Sequence, residues 1–430
     1  MPAGKTGFRM YMKSNLPDPG MGILLFTLIF SYITFTLKAQ KSQNEEQKIT
    51  LLFMGDIMGH DTQIKSALNT ETGTYDYNDV FRYIKPVIEA SDFAAANLEV
   101  TLSGPPYKGY PQFSSPAAIA SACMNAGIDC LFTANNHSAD RGNKGIISTI
   151  NRLDSIGIMH TGTFTDNYSR DTLQPLMFLK NGISAAFLNY TYGTNGIPVP
   201  PPVIVNMLEK DRITADIEKA RALNPDLLIL ALHWGTEYDT VPSEDQTYLA
   251  NYFFYKGVDI ITGSHPHVIQ RMVWQKDNPV FKKKAIAYSL GNFVSNQRNA
   301  KTDGGSMVKI EITKNDTSIV ISDAGYYLTW VYTPIENGIR KFYILPCSEF
   351  ENKPEFFPDQ NDYRLMMKFI NNSRSFLYKQ NEGFIEYFFD FETRTPDPGT
   401  RDLKSETDNN VLQDVGKFMF LQIFAEYEEK

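Results

Sequence analysis

The sequence predicts an α/β layered domain, and three observations lead there. Short apolar runs of strand character alternate with segments of helical period from residue 49 to about residue 293. Some of these runs are apolar throughout, as Leu227-Leu228-Ile229-Leu230-Ala231-Leu232 is, which suits strands covered on both faces. After about residue 305 the alternation gives way to β-type runs joined by short polar turns, an antiparallel extension of the same domain.

In chain order, strands are expected at 49–54, 93–96, 130–133, 184–189, 227–232, 258–262 and 285–290. The helices between them fall at 79–90, 116–126, 144–156, 205–223 and 244–256. Antiparallel strands follow at 307–313, 318–322, 326–333 and 340–345, with turns at Lys314-Asn315-Asp316 and Glu336-Asn337-Gly338. From Glu351 the chain is helical and aromatic, with a polar break over 393–410 and a surface helix over 411–427. Four parts result: a lead over 1–39, a polar tether over 40–48, a main domain over 49–348 and a helical C-terminal extension over 349–430.

The lead places Lys5, Arg9 and Lys13 before the uncharged run 21–37, which is followed by Lys38-Ala39. That is the order of a signal peptide cut after Ala39. The run also approaches the ~20 residues that span a bilayer, so an uncleaved membrane anchor is the alternative. Either way the remainder is expected to be exported, periplasmic or extracellular.

Composition removes several classes. With 42% hydrophobic and 13% aromatic residues, the chain can build a core and is not low-complexity. Lys and Arg number 41 against 49 Asp and Glu, and loss of the lead leaves 37 against 48. That balance argues against a nucleic-acid partner. Three Cys with no Cys-x-x-Cys pair exclude a disulfide scaffold and a thiolate zinc finger. Cys123 and Cys130 are then either a disulfide pair in an oxidising compartment or two buried thiols.

Ligands of open α/β sheets bind beyond the carboxyl ends of the strands. Those ends read Gly55-Asp56, Asn97-Leu98-Glu99, Asn135-Asn136-His137, His233-Trp234-Gly235, Ser264-His265-Pro266-His267 and Gly291-Asn292. Taken singly, each has an ordinary explanation: Asp56 as a helix cap, Asn135-Asn136 as a turn, His233 as a core histidine. Together they gather two carboxylates, several amides and four of the six histidines on one rim. Imidazole, carboxylate and amide oxygen form the donor set for one or two divalent ions such as Zn, Mn or Fe. A two-metal hydrolytic centre uses such a set. In Ser264-His265-Pro266-His267 the proline is expected to fix an extended step, so that the two imidazoles approach from different directions. His60 is a candidate pocket-lining residue, and His160 is read as structural.

The same residues carry a family resemblance. Gly55-Asp56-Ile57-Met58, Asn97-Leu98-Glu99 and Ala134 to Gly142 resemble motifs of the CapA family of capsule-synthesis proteins. So do His233-Trp234-Gly235-Thr236-Glu237-Tyr238, Gly263 to His267 and Tyr288 to Phe293, all in the family's order. The resemblance implies a calcineurin-like metallophosphoesterase fold, a β-sandwich flanked by helices. It also implies a role in poly-γ-glutamate synthesis or export beside a membrane-bound synthesis complex. On that basis Asp56 and His267 resemble ligands of a first metal, and Asn136, His233 and His265 ligands of a second. Glu99 resembles the bridging carboxylate, and His137 stands in the place of a general acid oriented by Asp140. Asn97 is expected to support Glu99, and Asn292 to stand in the surrounding shell. Arg141 and Lys144, with the loop Tyr107-Lys108-Gly109-Tyr110, are candidate contacts for polyglutamate or another anionic envelope polymer.

Two departures stand out against the phosphoesterase pattern. Met58 occupies the place of a first-strand His, and Ala96-Asn97-Leu98-Glu99 replaces a Gly-Asp pair. Three functions are therefore weighed: a metal-dependent hydrolase or transferase of envelope polymer, a non-enzymatic polymer-binding accessory with a structural metal, and a general extracytoplasmic metallophosphatase.

Overall fold

A computed structural model describes residues 46–276, 283–316, 318–393 and 395–397. The lead with its run 21–37, the tether up to residue 45 and the C-terminal stretch 398–430 lie outside the described residues. No helix among the described residues is long and apolar enough to cross a membrane.

The chain builds one sheet, crosses to a second and returns. Strands β1 (Gln47–Ile57), β2 (Phe93–Leu98), β3 (Cys130–Phe132) and β4 (Met159–Thr161) run parallel to one another. The second sheet follows as β5 (Leu176–Lys180), β6 (Ile183–Thr191), β7 (Leu227–His233), β8 (Ile260–Ser264), β9 (Met272–Trp274) and β10 (Ala285–Ala287), ordered β9-β10-β8-β7-β6-β5. The return strands β11 (Asn292–Val294), β12 (Gly304–Lys314), β13 (Ile319–Tyr332) and β14 (Tyr343–Pro346) rejoin the first sheet. There β12 pairs antiparallel with β1, as β13 does with β12 and β14 with β13, which is the expected antiparallel extension.

Alternation along each strand explains the doubly apolar runs. Leu51 and Phe53 of β1 face inward and join Phe187, Leu227 and Ile229 of the second sheet in one core. Leu52 and Met54 face outward onto Ile119 and Cys123 of α1 (Ala118–Asn125) and Leu153 of α2 (Gly142–Ile156). On the other side Leu228 and Leu230 meet Ile213 and Ile217 of α3 (Lys210–Ala222) and Phe253 and Phe254 of α4 (Glu244–Tyr255). The layers are therefore helix, sheet, sheet, helix. At ~25 cal/mol per Å² of apolar surface, this two-faced burial is the main stabilising term.

Some elements differ from expectation for identifiable reasons. The helix expected over 79–90 divides into a 3-10 turn, Asn78–Phe81, and a short helix, Lys85–Glu89. Pro86 has no N–H to give an earlier turn, so the two cannot be continuous. The segment expected as helix over 205–223 starts with a two-residue strand, Ile204–Val205, and α3 begins only at Lys210. Strand β1 starts at Gln47, at the end of the expected tether. Cys123 and Cys130 are both buried and free, so the disulfide alternative is excluded. The extension carries the expected helix, α5 (Gln360–Gln380), whose Met366, Phe369, Ile370 and Leu377 enter the core between the sheets. Beyond it, the short strand Ile385–Glu386 pairs with β13.

Candidate metal centre

The C-terminal ends of strands from both sheets meet at one rim. Asp56 ends β1, Glu99 follows β2, and Asn136 and His137 follow β3. From the second sheet come His233 at the end of β7 and His265 and His267 just after β8. Register sets the approach, since Ser264 stands opposite His233 and Asp56 opposite Asn292. Gly55 makes it feasible: a Cβ there would lie 1.8 Å from the carbonyl oxygen of Gly291. The Asp56 N–H donates to that same oxygen at 3.0 Å.

The donor atoms converge. Asp56 Oδ2 lies 3.1 Å from His267 Nδ1 and accepts from the His265 backbone N–H at 3.4 Å. Glu99 Oε1 is 3.8 Å from both His233 Nε2 and His267 Nε2, between the two imidazoles. His233 Nε2 is also 2.9 Å from Asn136 Oδ1. The His233 and His265 ring centroids are 4.8 Å apart. Two sets, Asp56/Glu99/His233 and Glu99/His265/His267, each place three donor atoms within 4.8 Å of one another.

Backbone strain accompanies this convergence. His265 and His267 have φ of 98° and 58°, so both lie in the left-handed region instead of the extended step expected around Pro266. Such geometry costs of order 1–3 kcal/mol per residue and persists where surrounding contacts fix it. The two imidazoles do arrive from different directions, with ring planes inclined at 57°.

Electrostatics shows what the centre lacks as a bare protein. Asp56, Glu99 and His233 have no solvent exposure. Burial, and then Asp56, push the Glu99 carboxyl well above its ordinary range. Burial and then the neighbouring imidazoles hold His233 well below its ordinary range and His265 down at about 3. The neutral imidazoles are already in the state a cation needs, and the raised Glu99 carboxyl would release its proton as an ion binds. Glu99 Oε1 and His265 Nδ1 are buried with no hydrogen-bond partner among the described residues. Two donors on one ion, each ~2.1 Å from it, can stand up to ~4.2 Å apart. The 3.8 Å from Glu99 Oε1 to His267 Nε2 lies inside that limit. The residues present fit a divalent ion.

Asn97 has a larger part than expected. Its Nδ2 donates to Asp56 Oδ1 at 2.8 Å and to Glu99 Oε2 at 3.4 Å, and stands 3.3 Å from His233 Nδ1. An amide thus serves the Asp56/Glu99/His233 set, while the orphaned atoms belong to Glu99 and His265. Met58, in place of an imidazole, is buried and adds no nitrogen donor.

The remaining expected residues fall around this centre. His137 Nδ1 is 2.8 Å from Asp140 Oδ2, which also accepts from the Phe113 backbone N–H at 2.6 Å. His60 packs edge-on against Phe113 at 5.3 Å, and Phe113 against His137 at 4.6 Å, so His60 reaches the centre through an aromatic ring. Asn292 Oδ1 lies 3.1 Å from His267 Nδ1 and orients that imidazole. Arg141 donates to the Gln112 carbonyl at 3.0 Å and ties down the loop before Phe113. His160 pairs with Asp154 at 3.0 Å. Sequence reading missed Tyr192, whose ring lies 4.5 Å from that of His265, and gave no role to Ser264, whose hydroxyl is 2.8 Å from His233 Nδ1. Tyr192 stands directly after β6, and the strand-end rule applied to that strand finds it.

The fold is a four-layer α/β sandwich with carboxylate, amide and imidazole donors gathered at the C-terminal strand ends of both sheets. The chain belongs to the Bacterial capsule synthesis protein PGA_cap family, whose profile matches residues 50–297. It is 30% identical over 299 residues to the capsule biosynthesis protein CapA of Bacillus anthracis, covering 66% of this chain and 68% of that one. It is 27% identical over 319 residues to the PGA biosynthesis protein CapA of Bacillus subtilis (strain 168), covering 68% of this chain and 76% of that one. Among solved structures it is similar to the calcineurin-like phosphoesterase YfkN from Bacillus subtilis, at 13% identity and a TM-score of 0.41, covering 77% of this chain and 99% of that one. A role in capsule polymer biosynthesis follows from the family.

Proposed function

We propose that this chain is an exported metal-dependent hydrolase or transferase that cuts or hands on a poly-γ-glutamate or related anionic envelope polymer during capsule assembly. One observation carries the reading: Asp56, Glu99, Asn136, His233, His265 and His267 converge with buried donor atoms left unpaired. Glu99, His265 and His267 would hold one ion, and Asp56, Asn136 and His233 would complete a second position that Asn97 partly serves, a grouping that differs from the expected pairing of Asp56 with His267 and of His265 with His233. A divalent ion bound there supplies Lewis acidity and a water of lowered pKa. Asp140 accepts from His137 Nδ1 and so leaves Nε2 as the atom that holds or gives a proton to the leaving group. Phe113, edge-on against His137, keeps water from one side of that imidazole.

Residues 21–37 are proposed to direct export, either as a cleaved signal or as an anchor that keeps the rim near a membrane-bound synthesis complex. The Asn97 amide and the missing imidazole at Met58 favour a second reading, in which one structural metal supports polymer binding without turnover. Metal analysis of the exported protein, followed by a hydrolysis screen of phosphoesters and γ-glutamyl peptides, separates the two. Bound metal with turnover of γ-glutamyl peptides supports the first reading, and bound metal with no turnover supports the second. A protein that binds no divalent metal refutes both. N-terminal sequencing places the cut: a start at Gln40 in the soluble fraction removes the anchor.

A further inference from the structure

The motif His233-Trp234-Gly235-Thr236-Glu237-Tyr238 contributes His233 to the centre, which leaves its Glu237-Tyr238 end without a task. Tyr238 has φ of 69°, a conformation a bulky side chain rarely adopts. Its N–H donates to the Pro266 carbonyl at 2.8 Å, so the loop is tied to the turn that carries His265 and His267. Its ring centroid lies 6.2 Å from that of His267, and the residue is 51% exposed. A second loop makes a matching approach. Tyr192 donates its backbone N–H to His233 O at 2.9 Å, sets its ring 4.5 Å from His265, and is 45% exposed. Two half-exposed phenols from separate loops thus lean on two metal-ligand imidazoles. Strain of this kind, held at a site by fixed contacts, marks function more often than packing.

We propose that Tyr192 and Tyr238 are specificity-determining residues, forming a two-sided clamp that holds an extended γ-linked polyamide chain across the metal centre. The inference rests on the polymer reading above and names the side chains that would recognise the polymer. The chemistry fits in two respects. Aromatic faces pack against the flat amide planes and methylenes of an extended chain, and phenolic O–H groups donate to its carboxylates. The phenolic hydroxyls are uncharged donors, and Glu237 is exposed in the same loop as Tyr238, so this mouth meets a polyanion with neutral groups and aromatic faces. A clamp without a cation leaves charge recognition to the bound metal and reads the chain by shape.

The test is equilibrium binding of a short γ-linked glutamate oligomer to the metal-loaded exported protein, with p-nitrophenyl phosphate as the comparison ligand. Tyr192→Ala and Tyr238→Gly are each expected to weaken oligomer binding roughly fivefold to tenfold. Both should keep bound metal, and Tyr192→Phe should retain most of the affinity. Glycine accepts positive φ without strain, so Tyr238→Gly should not lower the melting temperature. An affinity unchanged in both variants, with metal content intact, overturns the clamp. So does a wild-type protein that binds p-nitrophenyl phosphate and not the oligomer, or that binds neither. Metal-stripped wild type provides the separate readout for the underlying centre. If it binds the oligomer as tightly as the loaded protein while the tyrosine variants still lose affinity, the metal reading fails and the clamp stands.

Discussion

Replacing Glu99 with Gln should stabilise the protein when metal is removed and weaken it when metal is present. The change keeps the side chain's shape, so no cavity opens, and it removes a carboxyl whose ionisation burial and then Asp56 disfavour. The Asn97 amide nitrogen touches Asp56 Oδ1 at 2.8 Å and Glu99 Oε2 at 3.4 Å. Those contacts bound the separation of the two oxygens at ~6 Å, where like unit charges would repel by about 3 kcal/mol at an effective dielectric of ~20; the raised Glu99 carboxyl meets a cost of that order either as repulsion or by keeping a proton that the unfolded chain releases. The introduced amide must itself be desolvated, so the expected gain in unfolding free energy is about 1–3 kcal/mol in excess chelator at pH 8. The loaded protein behaves oppositely. Loss of an anionic donor should cost at least the roughly 10–100-fold in metal affinity that even an outer partner of a ligand costs. Denaturant melts of both proteins, in chelator and in saturating Mn²⁺, give the two signs. A variant less stable than wild type in chelator would mean that Glu99 is satisfied without metal, and the argument from its unpaired oxygen would collapse.

Three further outcomes follow from particular contacts. His265→Ala should lose bound metal, whereas His137→Ala should keep it and lose turnover by ~10²–10⁴-fold, the usual contribution of a general acid; equal metal loss in the two refutes the role of His137. Gly55→Ala drives a Cβ to 1.8 Å from a backbone oxygen, so it should cost about 3 kcal/mol or more by overpacking and release metal, measured by denaturation and metal analysis. Burial lowers the Lys284 ammonium to about 8 from an ordinary 10.5, so the native state binds this proton less readily than the unfolded chain. Its penalty is complete below about pH 8 and vanishes above 10.5. Lys284→Met should therefore raise stability at pH 7 by at most about 3 kcal/mol, a gain that fades as pH rises through that window. A gain independent of pH refutes the assignment.

Physical visibility decided what the sequence could disclose. The central strands were legible because each is covered on both faces, which writes an unbroken apolar run, and their ends were legible because donor side chains follow at once. Edge strands carry no such signature. In β5, Met177, Leu179 and Lys180 are exposed, and β4 and β9 have three residues each. Two strands expected at 318–322 and 326–333 form the single strand β13, because Asp323-Ala324-Gly325 interrupts the apolar pattern without breaking the ladder. The interruption has a long-range cause. A Cβ at Gly325 would meet the Ile385 carbonyl oxygen at 2.5 Å, and Asp323 accepts from the Tyr387 hydroxyl. Both residues are shaped by a segment some sixty positions away, which is also why the extension itself could not be placed from local pattern. The ligand roster was legible; the left-handed turn at His265 and His267 and the bridging amide of Asn97 depend on contacts between strands distant in sequence.

That distance has a consequence for how the centre comes into being. Asp56, Glu99 and Asn136 belong to the first sheet, and His233, His265 and His267 to the second. The unpaired atoms lie one on each side, Glu99 Oε1 and His265 Nδ1. Neither sheet alone holds all six candidate donors, so they come together only once the sandwich has closed. An ion bound there would brace the two sheets at their rim, and its binding free energy would appear as added stability of the closed state. The same closure brings Tyr192 and Tyr238 of the second sheet to the rim that holds His137 and Phe113 of the first. On the proposed reading, substrate grip and proton transfer sit on different halves of the sandwich, with the candidate metal ligands along the seam between them.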